Sequence, residues 1–87
     1  MSILKVSIEQ VKAARALLRW SQEDLADASG ISLPTIKRLE AATGLLGGRK
    51  QTTESIRTAL EAAGVEFIPE NGGGAGVRLK NDAPQRQ

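Results

Sequence analysis

A chain of 87 residues with 40% apolar content has room for one small core, and 12 Lys and Arg against 10 Asp and Glu leave a net charge of only +2. It has no Cys, no His and no Tyr, and a single Trp and Phe. This excludes zinc fingers, disulfide scaffolds, thiol nucleophiles and His bases, and argues against single-strand and RNA binders that stack bases on aromatic platforms.

Residues 1–10, MSILKVSIEQ, contain no long apolar run, so neither a secretory signal nor a membrane span is expected and the cytoplasm is the expected compartment. Ser7 followed by Gln10 has the form of a capping box and opens a first helix. Ile8, Val11, Ala14 and Leu18 recur at helical spacing, Leu17 widens the stripe, and Gln10, Arg15 and Arg19 flank it; the helix should end near Trp20. Trp20 reads as an anchor at the junction of the first two helices, packing on the core with its N–H at the surface.

Ser21 caps a second helix whose first turn holds Glu23 and Asp24, and Leu25, Ala26 and Ala28 give it a small apolar face. Gly30 suits a left-handed closing position, and Ile31 should plug the space behind it. A third helix follows, with Ser32 as cap and Pro34 in the first turn, or with Leu33 as cap and Pro34 first. Ile36 and Leu39 point inward, which turns Lys37 and Arg38 outward.

Residues 41–52, AATGLLGGRKQT, read as a loop in which Leu45 and Leu46 fold back on the core. Thr52 or Thr53 should cap a fourth helix with Ile56, Ala59, Leu60 and Ala63 buried and Gly64 at its end. VEFI at 65–68 and GVRLK at 76–80 alternate as strands around the turn material PENGGGAG, which predicts a β-hairpin. Gly72, Gly73 and Gly74 are not a phosphate loop, because no Lys-Ser/Thr and no helix follow them. Residues 81–87 are polar and expected to fray.

The segment SQEDLADASGIS…TIKRLE at 21–40 resembles the helix-turn-helix of the Cro/C1 (Xre-type) transcriptional regulators, with the likeness extending over residues 7–64. Five features stand in register: the Gln after the second cap, the Leu-Ala pair, the Gly turn, Ile and Leu three apart, and Glu40. The resemblance implies a mainly α fold, a compact lambda-repressor-like bundle of four helices, to which the alternating strands at 65–80 add a C-terminal β-hairpin. It also implies a double-stranded DNA partner, with helix 32–40 lying in the major groove. The implied base contacts are Ser32, Leu33, Pro34, Thr35 and Arg38; the implied phosphate contacts are Ser21, Gln22, Lys37, Arg49 and Lys50.

Many relatives place polar amides where Leu33 and Pro34 stand here. Apolar side chains there can pack on thymine methyl groups, and Leu33 can equally extend the Ile36–Leu39 core stripe. Arg38 has the fork that matches guanine, with a phosphate contact or a solvated surface position as its other readings. Arg19 and Arg57 are as well explained by solvated helix faces as by phosphate. The resemblance further implies an internal salt bridge between Arg15 and Glu40 that mounts the third helix.

One such domain makes few base contacts, so two copies on half-sites are expected, and a dimer surface with them. The hairpin, residues 65–80, is the element left over from the DNA-binding domain at 1–64. Val65, Phe67, Ile68, Val77 and Leu79 are therefore the dimerisation candidates, unless they only cover their own subunit. The leading reading is a homodimeric regulator on a pseudo-palindromic operator. The competing one is an antitoxin or anti-regulator that binds another protein through the hairpin. No catalytic residue, metal ligand, cofactor or small-molecule ligand is indicated.

Overall fold

The computed structural model describes residues 5–80, so the tail at 81–87 lies outside the described residues. Four helices come first: α1 (Ile8–Leu18), α2 (Gln22–Ser29), α3 (Leu33–Glu40) and α4 (Lys50–Ala62). Two strands, β1 (Val65–Ile68) and β2 (Gly76–Leu79), follow as an antiparallel hairpin. The fold is mainly helical with a C-terminal hairpin, as the sequence predicts.

The α1 capping box forms in full: the Gln10 amide donates to Ser7 Oγ at 3.0 Å and the Ser7 amide donates to Gln10 Oε1 at 2.9 Å. Ile8, Val11, Ala14 and Leu18 are buried, but Leu17 faces solvent, because its angular position falls outside their stripe. Gln10 does not flank the core but is buried in it. Its Nε2 donates to the carbonyls of Ile68 (3.2 Å) and Gly76 (2.9 Å), joining α1 to both ends of the hairpin loop. The helix also stops earlier than expected, closed at Arg19 in the left-handed region (φ 58°).

Ser21 and Asp24 make a second capping box at the start of α2, and Gly30 closes the helix at φ 76°. Leu25 is buried and Ala28 is exposed, so the buried face of α2 is narrower than its composition suggests. At α3 the first of the two predicted starts is the one adopted: Ser32 caps, Leu33 is the first residue and Pro34 the second.

Leu46 packs on the core, whereas Leu45 is 62% exposed. The backbone accounts for this, since Ile8 N–H donates to Gly44 O (2.7 Å) and Leu46 N–H to Val6 O (2.9 Å). Ser7 and Leu45 form a β-bridge between them, so Leu46 turns inward with Val6 and Leu45 outward. Helix α4 starts at Lys50, ahead of the predicted Thr caps; Thr53 Oγ1 instead donates back to Lys50 O at 2.9 Å. Ile56 and Leu60 are buried, and Gly64 follows at φ 110°.

The hairpin register, Val65↔Leu79 and Phe67↔Val77, puts these four side chains on one face. That face packs on α1 and α4, with Val65 and Phe67 fully buried and Val77 and Leu79 half-buried against the same core. Of the five dimerisation candidates, then, Val65 and Phe67 are used up inside their own subunit. Only Ile68 alternates to the outer face, where Glu66 and Arg78 form an ion pair at 3.0 Å.

Candidate nucleic-acid interface

Helix α3 has two sharply different sides. Ile36, Leu39 and Glu40 are buried, while Pro34, Lys37 and Arg38 are exposed, with Ser32 exposed at the cap. Spacings of three and four residues put Pro34, Lys37 and Arg38 on one outward face. Ser32 Oγ donates to Thr35 Oγ1 at 3.0 Å and accepts from the Thr35 amide at 3.4 Å, so the two hydroxyls of this turn are bonded to one another. Leu33 is half-buried. It lines a shallow groove with Ala26, Gly30 and Ile31, edged by Glu23 and Asp27 of α2.

What holds α3 in place is a polar cluster beneath it. Arg15 Nε donates to Glu40 Oε2 at 2.8 Å and Nη2 to Oε1 at 2.7 Å, a two-pronged pair. Arg15 Nη1 also donates to the Trp20 carbonyl at 2.9 Å, and Trp20 packs half-buried at the α1–α2 junction. Gln22 Nε2 donates to Glu40 Oε1 at 3.0 Å. The cluster therefore ties together the end of α1, the start of α2 and the end of α3. Burial pushes the Glu40 carboxyl up, but the hydrogen bonds from Arg15 and Gln22 and the charges of Arg15 and Lys12 outweigh it. The net effect holds Glu40 below its ordinary value.

The remaining site residues fall around this helix. Gln22 is the first residue of α2, its side chain drawn inward to Glu40, a link eighteen positions long that no local spacing announces. Ser21 is exposed, with its hydroxyl accepting from the Asp24 amide. Arg49 and Lys50 are not mid-loop: they are the cap position and first residue of α4. That helix start has no side-chain cap and no acid in its first turn, so its free amides and two cations together favour an anion. Arg57 pairs with Glu61 one turn on at 3.7 Å, and Arg19 closes α1. Gly72, Gly73 and Gly74 are exposed in the hairpin loop.

Among the described residues no group of acidic, Cys or His side chains could hold a metal ion, and no helix is long and apolar enough to cross a membrane. Compared with known families, residues 11–50 match the helix-turn-helix family model, from the second turn of α1 to the start of α4. A comparison with curated proteins returns no match.

Proposed function

We propose that the chain, whose residues 11–50 match the helix-turn-helix family model, is a sequence-specific transcriptional regulator of the Cro/C1 type. In this reading it acts as a homodimer on a pseudo-palindromic operator, with α3 of each copy in the major groove. The observation that carries the reading is the exposed Pro34–Lys37–Arg38 face, mounted on the buried Arg15–Glu40 pair. Arg38 supplies the hydrogen-bonded base contact through its fork, and Ser32, Leu33, Pro34 and Thr35 supply the N-terminal turn that meets base edges. Lys37 and the α4 start, Arg49 and Lys50, take phosphates, as does the α2 start at Ser21 and Gln22.

The Gln22 side chain keeps one N–H and its Oε1 after bonding Glu40, so a phosphate contact there is compatible with its internal bond. For dimerisation the hairpin offers its unpaired strand edges and Ile68 rather than its apolar face.

Selection of duplexes from a random library at fixed salt tests the reading. A palindromic motif with half-sites about 34–36 Å apart is the expected outcome. Failure to enrich any duplex, together with a stably co-purifying protein, would overturn it in favour of the partner-binding alternative. Arg38→Ala should lower affinity by about 1–3 kcal/mol and relax preference at one position of each half-site. An unchanged motif would remove Arg38 from base reading.

A further inference from the structure

We infer that α3 reads one dinucleotide step, a pyrimidine carrying a 5-methyl group followed by guanine, through Pro34 and Arg38 acting together; this rests on the DNA-binding reading above. The N-terminal turn of a recognition helix is the part that meets base edges. Here one of that turn's two hydroxyl donors is spent inside the turn, since Ser32 gives its O–H to Thr35 Oγ1. The Ser32 and Thr35 hydroxyls are bonded to each other, and Leu33 is half-buried in the wall of the groove behind the turn. Pro34 is the exposed apolar residue of the turn, and it offers only C–H surface, with no side-chain polar atom and no N–H. Arg38 stands four residues further on the same face, about 6 Å along the helix axis.

An apolar ring in the major groove has one matching feature on base edges, the methyl group at C5 of a pyrimidine. A guanidinium fork matches O6 and N7 of guanine. Successive bases on one strand lie about 3.4 Å apart. A fork on guanine therefore presents its flat face and stem to the methyl of the 5′ neighbour, and Pro34 lies next to it on the same helix face. Pro34 has no atom that senses the rest of the pyrimidine. The pair therefore responds to the methyl and not to the base: thymine and 5-methylcytosine are accepted alike, while uracil and unmethylated cytosine are disfavoured. Methylation of a CpG step at this position would then raise affinity, making the protein sensitive to the methylation state of its site.

The test uses the full chain and the duplex selected from the random library, titrated at one salt concentration. Replacing the thymine 5′ of the guanine by deoxyuridine should weaken binding about fourfold, the effect of one buried methyl group. Unmethylated cytosine there, paired with guanine, should bind as weakly as uracil, and 5-methylcytosine should restore the loss. Pro34→Ala, checked for folding by Trp20 fluorescence, should bring the thymine-to-uracil ratio towards one while keeping the guanine preference. Equal binding of the thymine and uracil duplexes by the unaltered chain would overturn the inference while leaving DNA binding intact, as would a selected motif without a thymine-guanine step. Failure of the unaltered chain to bind any duplex would overturn the DNA-binding reading and this inference with it.

Discussion

Glu40 is where the most structure converges: it receives two bonds from Arg15 and one from Gln22 while sitting almost fully buried at the end of α3. Glu40→Ala should destabilise the fold by about 3 kcal/mol, because it leaves the largely buried Arg15 guanidinium without its carboxylate, holding only the Trp20 carbonyl. Urea unfolding followed by Trp20 fluorescence would read this as a lower midpoint with an unchanged slope. The carboxyl is held below its ordinary value of 4.5, so its stabilising contribution is complete above that pH and drains away as pH falls through the lower folded-state value. The stability gap between the unaltered chain and Glu40→Gln should therefore shrink on acidification below about pH 4.5; a gap that stays constant down to pH 2.5 would rule out Glu40 as the titrating group. At this scale the sequence is only partly legible. The Arg15–Glu40 pair is reached through the family resemblance, not through spacing, since the partners lie 25 positions apart. The Gln22 bond to Glu40 spans 18 positions and is illegible for the same reason, whereas the Ser32–Thr35 bond is local and follows from the cap at Ser32.

The elements that sequence placed well are those with local end signals. Ser7, Ser21, Ser32 and Gly30 are caps whose chemistry depends on neighbours within one turn, and the starts of α1 to α3 follow them. Helix α4 has no such signal: its start lacks a side-chain cap, so Thr52 and Thr53 offer the nearest cap chemistry in sequence while Arg49 and Lys50 in fact form the start. An uncapped, cation-flanked helix start is a local cost to folding, which suggests a trade between stability and function. Arg49→Asp should cap α4 and complement its dipole, raising stability by about 1 kcal/mol. The same change should weaken DNA binding and make it less steeply salt-dependent, by about one counterion. Higher stability with unaltered DNA affinity would remove the phosphate role from Arg49. Gln10 is the second misjudged case, a polar residue on the stripe's edge that proves to bind two strand-end carbonyls in the core. Gln10→Leu removes the two bonds that tie α1 to the strand ends and should cost about 1–3 kcal/mol, seen as faster amide exchange along β1 and β2 before global unfolding.

At the scale of the whole molecule, the helices and the hairpin share one core. Val65 and Phe67 belong to the same core as Leu18, Leu25, Ile36 and Leu60, so the hairpin is a wall of that core. Fully burying each of two such side chains is worth about 1.5–3 kcal/mol, against a total stability of about 5–15 kcal/mol for a small domain. A chain ending at Gly64 should therefore lose cooperative unfolding, and its failure to bind DNA would reveal nothing about dimerisation. A surface change separates the two roles. Ile68 alternates away from the core beside the Glu66–Arg78 pair, so Ile68→Glu leaves the packed face of the sheet unaltered. If two hairpins pair along their edges to make the dimer, this variant should keep its melting temperature at low concentration yet sediment as a monomer. Its footprint should then shrink from two half-sites to one, with affinity falling because two linked contacts have become independent. A variant that still sediments as the unaltered chain does and still covers both half-sites would place the two-fold contact on another surface of the domain, away from the hairpin.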